Sequence, residues 1–374
     1  MWISSVVSPP RSPILPLLSD ERGRARHIEN FGDIGNHADR SMISVHLVAR
    51  DNGAGLSRDL AILAQAIGDG GFDLTVSAIG QGGWRRQAQL IGLRAKLMWR
   101  GWREGAARGR FDVNLMDERV RPKYIDLARR NVLLPHPEWF KQEWQAHLPS
   151  IDRVFAKTHH AVPIFQALGC RAEFVGFTSI DRRLADVARE PTFFHLGGRS
   201  TNKGSQPLID LWLRKPSWPL LTMIQRAPLR LPASLPANVR LITDYLDDGE
   251  LKILQNRHLF HLCPSETEGF GHHLVEGMSV GAITLATDAP PMNEMITNER
   301  GVLAAYARTG TQELATTYFV DDAALESAVQ RMLSLDENER RTLSGRARTW
   351  WEENDRAFRQ RLVAAISALA NARD

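Results

Sequence analysis

Two consecutive doubly wound α/β domains are predicted, on three observations. Short apolar runs alternate with helical or loop stretches in two successive series, a charged segment at 181–191 separates the series, and 374 residues exceed the usual size of one hydrophobic core.

Residues 1–41 hold two Pro-rich patches, the charged run DERGRAR and no sustained period, the composition of a disordered extension. Order is expected from Met42, which is also a candidate true start. SVHLVAR (44–50) reads as a buried strand, DNGAGLS as a Gly-rich turn, RDLAILAQAI (58–67) as an amphipathic helix and FDLTVSAI (72–79) as the next strand. Strand, tight turn, helix and strand make a βαβ unit, which requires a parallel sheet. FDVNLMDE (111–118), NVLLP (131–135), RVFAK (153–157) and AEFVGF (172–177) continue that sheet. A second series runs through TFFHLGGR (192–199), PLLTMIQ (219–225), VRLIT (239–243), HLFHLCPS (258–265) and AITLATD (282–288). A long helical pattern rich in Arg, Glu and Ala closes the chain from about 336 to 371.

The composition, 43% apolar and 24% charged, is that of an ordinary globular protein. Cys170 and Cys263 cannot build a disulfide framework, no apolar run approaches the roughly 20 residues that span a bilayer, and no signal segment is evident. The chain therefore reads as soluble and unexported. A net charge of +4 suits nucleic acid, an anionic membrane or an anionic small substrate. No nucleic-acid module is recognisable, so nucleic acid is not expected as a partner.

The strongest local signal is Glu268-Gly-Phe-Gly followed by Glu276. Gly269 and Gly271 let a ligand approach the backbone, and the segment from about His272 to Val280 reads as a helix whose N-terminus faces that turn, a place for a diphosphate. With a rise of about 1.5 Å per residue, the two carboxylates stand about one diphosphate apart. Upstream, GGRSTNKGS puts Arg199 and Lys203 in a strand-to-helix loop, where two cations can hold a diphosphate and stabilise it as it leaves. Residues alone leave plainer readings open: an acid favoured by a helix dipole, and solvated loop cations.

The string CPSETEGFGHHLVEGMSVGAITLATDAPPMNEMI (263–296) resembles the retaining group 1, or family 4-like, glycosyltransferases of GT-B fold, with several elements in order and in spacing. The resemblance implies two Rossmann-like domains facing across a cleft, with a C-terminal helix packing back toward the N-domain. The expected limits are a disordered extension 1–41, an acceptor domain 42–185, a nucleotide-sugar domain 186–352 and a crossing helix 353–374. It further implies that Glu268 contacts the donor sugar, Glu276 the ribose, and Arg199 and Lys203 the diphosphate. Gly53, Gly55, Gly269, Phe270, Gly271 and Glu294 line the donor site. The co-substrate is a nucleoside-diphosphate sugar, the acceptor a glycan or lipid-linked hydroxyl, and neither metal nor other cofactor is implied. The alternative is a GT-B sugar-nucleotide sensor or scaffold without turnover. Relatives carry a His on an N-domain strand where FDVNLMDERV has Asp117 and Glu118, so the acceptor-side residue is left unassigned.

Other residues admit plainer readings. Of the adjacent His272 and His273, one is expected to be structural. His159 and His160 suit an acceptor cleft or a surface turn. Asp247 reads as a helix N-cap and Asp181 as a turn cap. The segment 83–110 interleaves Arg and Lys with Trp, Leu and Met, and reads either as an anionic-membrane contact or as a packed helix with a basic face. The expected location is cytoplasmic, peripheral on the inner face of the cell membrane.

Overall fold

The computed structural model describes residues 42–50, 55–79, 83–105 and 109–372. The extension 1–41 and the loop position Gly53 lie outside them. The chain runs through β1 (Ser44–Arg50), α1 (Gly55–Asp69), β2 (Asp73–Ile79), α2 (Gly83–Glu104), β3 (Phe111–Glu118) and β4 (Ala128–Pro135). It continues through α3 (Gln142–Gln145), β5 (Arg153–Ala156), α4 (Ala161–Ala167) and β6 (Ala172–Phe174). The six strands form one parallel sheet in the order β2-β1-β3-β4-β5-β6. β1 is buried along all but its last residue, as a strand covered by helices on both faces must be.

The second half contains β7 (Glu190–Gly198), α5 (Ser205–Arg214), β8 (Leu221–Gln225), β9 (Val239–Ile242), α6 (Asp248–Arg257), β10 (His258–Cys263), α7 (His272–Ser279), β11 (Ile283–Thr287), α8 (Met292–Met295) and β12 (Gly301–Ala304). Its strands form a second parallel sheet, β12-β11-β10-β7-β8-β9. An antiparallel hairpin, β13 (Tyr306–Gln312) and β14 (Ala315–Val320), follows, then α9 (Asp322–Ser334) and α10 (Glu337–Asn371).

Strand order reverses between β1 and β3 in the first sheet and between β7 and β10 in the second. Ligands of open parallel sheets bind beyond the carboxyl ends of the strands at such reversals, where the connecting loops part to opposite faces.

The halves share an apolar seam. Phe177 meets Phe270 edge-on at 5.3 Å and Phe358 at 5.0 Å, and one buried cluster joins Leu60 and Leu63 of α1 to Leu274, Met292 and Leu362. α10 crosses both halves. Arg348 clamps Asp181 at 2.7 and 2.9 Å, Asn354 donates to Phe177 O at 2.8 Å, and Arg361 Nε donates to Val175 O at 2.8 Å.

Three details differ from the sequence reading. The strand expected at 172–177 stops at Phe174, because Gly176 has φ +74° and turns the chain. β12 and the hairpin were not anticipated, since 306–312 is exposed or half-buried and presents no apolar run. Asp181 receives the Arg183 amide at 3.0 Å, as a turn cap does, but also anchors α10. Asp247 is the N-cap of α6, in a capping box with Glu250.

Candidate active site

The reversal between β7 and β10 places two predicted residues together. The β7–α5 loop delivers Lys203 and the segment after β10 delivers Glu268, and the ammonium and carboxylate form an ion pair with side chains 19% and 9% exposed. His273 closes one side, its Nδ1 3.4 Å from Lys203 Nζ and its Nε2 3.0 Å from Ser265 Oγ. Burial, reinforced by Lys203, holds the His273 ring well below its usual range, so it is neutral: Nδ1 accepts from Lys203 and Nε2–H donates to Ser265. α7 begins at the same turn, with Gly271 as N-cap at φ +91°, a conformation that disfavours a side chain.

The N-terminal half faces this turn with a buried polar network from α1 and the ends of β3, β4 and β5. Lys157 Nζ lies 2.5 Å from Asp59 Oδ2, 3.2 Å from Asp117 Oδ1 and 2.8 Å from His136 Nε2. Asp59, Asp117 and His136 bring ligand atoms within 4.8 Å of one another, the spacing of a cation site, and the Lys157 ammonium already stands among them. Burial opposes ionisation of Asp59, but Lys157 and His272 outweigh it and hold that carboxyl well below the usual range. Asp117 goes the other way. Burial pushes it up, Lys157 offsets this only in part, and the Asp59 charge adds to the rise. Asp59 Oδ1 also reaches His272 Nε2 at 2.5 Å, while His272 Nδ1 lies 2.7 Å from Ser179 Oγ, so this histidine ties α7 to both α1 and the crossover.

The remaining predicted residues separate. Arg199 is exposed and makes no ion pair among the described residues. Gly55 opens α1. Glu276 is 1% exposed, 2.8 Å from Arg58 Nη1 and 2.8 Å from Gln255 Nε2, so a ribose reaching it must displace Arg58. Glu294 accepts the backbone amides of His159 and His160 at 2.8 and 2.7 Å. His159 itself stacks on Phe174 at 3.7 Å. Phe270 and Glu294 line a cavity of about 300 Å³ between the halves, together with Lys157, Phe177, Trp350 and Arg361. Asp117 is fully buried behind Lys157, and Glu118, at φ +72°, pairs with Arg121 at 3.2 Å, so neither meets Glu268.

The residues that do meet that turn are His136 and Glu138. A Cβ on Gly269 would lie 2.4 Å from His136 Nδ1 and 2.8 and 2.9 Å from the Glu138 carboxylate oxygens, so only glycine admits this approach. The sequence reading missed both, along with Arg58, Asp59 and Lys157. The one available signal was that His136 and Lys157 directly follow apolar runs, at the carboxyl ends of strands.

Residues 232–350 match the family model for glycosyl transferases group 1. The fold is GT-B, and the matched segment lies in the C-terminal half. No curated protein matches by sequence. Among solved structures, a glycosyltransferase from Rickettsia africae ESF-5 is similar at TM-score 0.65 and 13% identity, over 89% of this chain and 100% of that one. Anabaena Alr3699/HepE, solved with UDP and glucose, is similar at 0.62 and 15%, over 87% and 100%. The GtfA/B complex is similar at 0.54 and 14%, over 70% of this chain, which spans only 58% of that one. In this GT-B framework, Lys203 and Glu268 stand at the switch point of the C-terminal sheet and Glu138 and His136 stand across from them.

Proposed function

We propose that the protein transfers a sugar from a nucleoside-diphosphate donor to an acceptor hydroxyl with retention of configuration. The observation that carries this reading is the Lys203–Glu268 pair at the β7/β10 reversal, beside the N-terminus of α7. Lys203, Arg199 and the first turn of α7 hold the diphosphate and stabilise the charge it gains on departure, without a metal ion. Lys203 must exchange Glu268 for phosphate, which frees Glu268 for a sugar hydroxyl. Glu276 then takes the ribose diol in place of Arg58. Closure over the apolar seam excludes water and strengthens these interactions.

The acceptor is a glycan or lipid-linked hydroxyl in polysaccharide, lipopolysaccharide or glycolipid synthesis, and the enzyme works in the cytoplasm, on the inner face of the membrane. No helix among the described residues is long and apolar enough to cross a membrane. α2 supports a peripheral contact. Its Leu90, Leu93 and Leu97 pack inward, while Ile91, Met98 and Trp102, at i, i+7 and i+11, stand 68%, 75% and 83% exposed among basic residues.

The test is a thermal-shift screen with UDP-, GDP-, ADP- and dTDP-sugars, followed by a transfer assay with the stabilising donor and NMR of the product anomer. A retained anomer is expected. Donor binding without turnover or hydrolysis points instead to the sensor reading, which the Asp117 replacement favours.

A further inference from the structure

We propose that Glu138, from the N-terminal half, binds a hydroxyl of the sugar carried by the donor, on the side opposite Glu268. The proposal rests on the glycosyltransferase reading and names a sugar-binding residue of that site.

Glu138 lies in the short 3-10 turn Pro137–Trp139 that follows β4, and it is 5% exposed. Both its carboxylate oxygens face the backbone of Gly269, next to Glu268. Its Oε1 is 3.9 Å from His136 Nδ1, and its Oε2 is buried with no hydrogen-bond partner among the described residues. A buried carboxylate oxygen left unpaired costs its desolvation, so such an atom marks either strain or a partner still to arrive.

The turn that carries it is held firmly. Its backbone receives Gln312 Nε2 at Glu138 O, 2.9 Å, and Leu314 N at Pro137 O, 3.2 Å, both from the β13–β14 hairpin. Gln312 Oε1 accepts in turn from Asn202 Nδ2 at 2.5 Å, one residue before Lys203. Phosphate loop, hairpin and N-terminal turn thus fix one position, and the buried, unpaired oxygen sits in it.

The charges select the ligand. Burial pushes the Glu138 carboxyl up, Glu268 adds to the rise, and His136 and Lys203 oppose it. Two carboxylates near one ammonium repel a phosphate from the space between them. A pyranose, uncharged and lined with hydroxyls that both donate and accept, satisfies them. The diphosphate then lies on the Lys203 side and the sugar between Glu138 and Glu268.

The experiment is calorimetric titration of the full chain and of Glu138→Gln and Glu138→Ala, with a nucleoside diphosphate and with the matching hexose donor, beside acceptor kinetics and melting curves. Both variants should bind the free diphosphate as the unaltered chain does, within about twofold. The added affinity of the sugar should fall about tenfold in Glu138→Ala and less in Glu138→Gln. Equal weakening of both ligands, no change in either, or a change confined to the acceptor KM overturns the proposal. If the unaltered chain binds no sugar nucleotide, the glycosyltransferase reading fails first and this role with it.

Discussion

Arg58 Nη1 and Glu276 Oε1, 218 positions apart in sequence, meet at 2.8 Å across the two halves of the molecule. The arginine is 29% exposed and the glutamate 1%, so the carboxylate depends on this partner and on Gln255 for its burial. Arg58→Ala should therefore destabilise the fold by about 1.5–3 kcal/mol, the range for a hydrogen bond to a charged group. A double-mutant cycle with Glu276→Gln in urea checks it. Additive effects would show that the pair contributes nothing.

Arg199 and Lys203 should differ in stability although both are assigned to the diphosphate. Arg199→Ala, exposed and unpaired in the described structure, should leave the melting temperature unchanged. Lys203→Ala strands Glu268 in a site where it is 9% exposed and should lower it. Both should cut turnover by about a hundredfold or more, as loss of an oxyanion-stabilising donor does. Wild-type turnover in both variants, with transfer and donor hydrolysis assayed, removes the assignment.

The two predicted carboxylates should part by ligand. Glu276→Ala is expected to weaken the free nucleoside diphosphate and the full donor alike, about tenfold, because the ribose is common to both. Glu268→Ala should spare the diphosphate and reduce turnover. Titration of both variants with the diphosphate alone decides, and equal weakening contradicts the division.

Stability should fall on acidification from about pH 6.5 toward 4. Burial lowers His46, His195 and His258 to about 4 and His261 to about 3. In that window the unfolded chain binds protons that the folded chain refuses, so stability rises with pH, by up to about 1.4 kcal/mol per group per pH unit. Asp117 and Glu138, held high, act in the opposite sense as their carboxyls titrate. Urea midpoints measured from pH 7 to 4.5 should decline, and a flat profile contradicts the burial argument.

α2 gives a membrane test. Full-length protein should sediment with anionic vesicles at low salt and be released as salt rises, each basic side chain near the surface contributing about 1 kcal/mol. Trp102→Ser, 83% exposed, should weaken sedimentation without altering the melting temperature. Equal behaviour on neutral and anionic vesicles favours a helix that is only packed on the sheet.

Much of the fold was legible because its signals are local. A parallel strand covered on both faces is an apolar run, so β1, β3, β7, β10 and β11 stand out one by one, and the turn from Glu268 to Glu276 is a single contiguous string. Capping chemistry is equally local, which is why Asp247 was readable.

The sequence by itself determined two α/β halves and singled out Lys203 and Glu268, which the structure pairs at the β7/β10 reversal. Only the tertiary structure decided what faces them. Arg58 and Asp59 come from α1, His136 and Glu138 follow β4 and Lys157 follows β5, and no spacing in the sequence links these three places. The bonds that join these places to one another and to the C-terminal half span 21 to 218 positions, as Lys157 with His136 and Arg58 with Glu276 show. Strand order, which no single segment encodes, brings those ends to one crevice, and burial there sets which carboxylate is paired and which oxygen is left open.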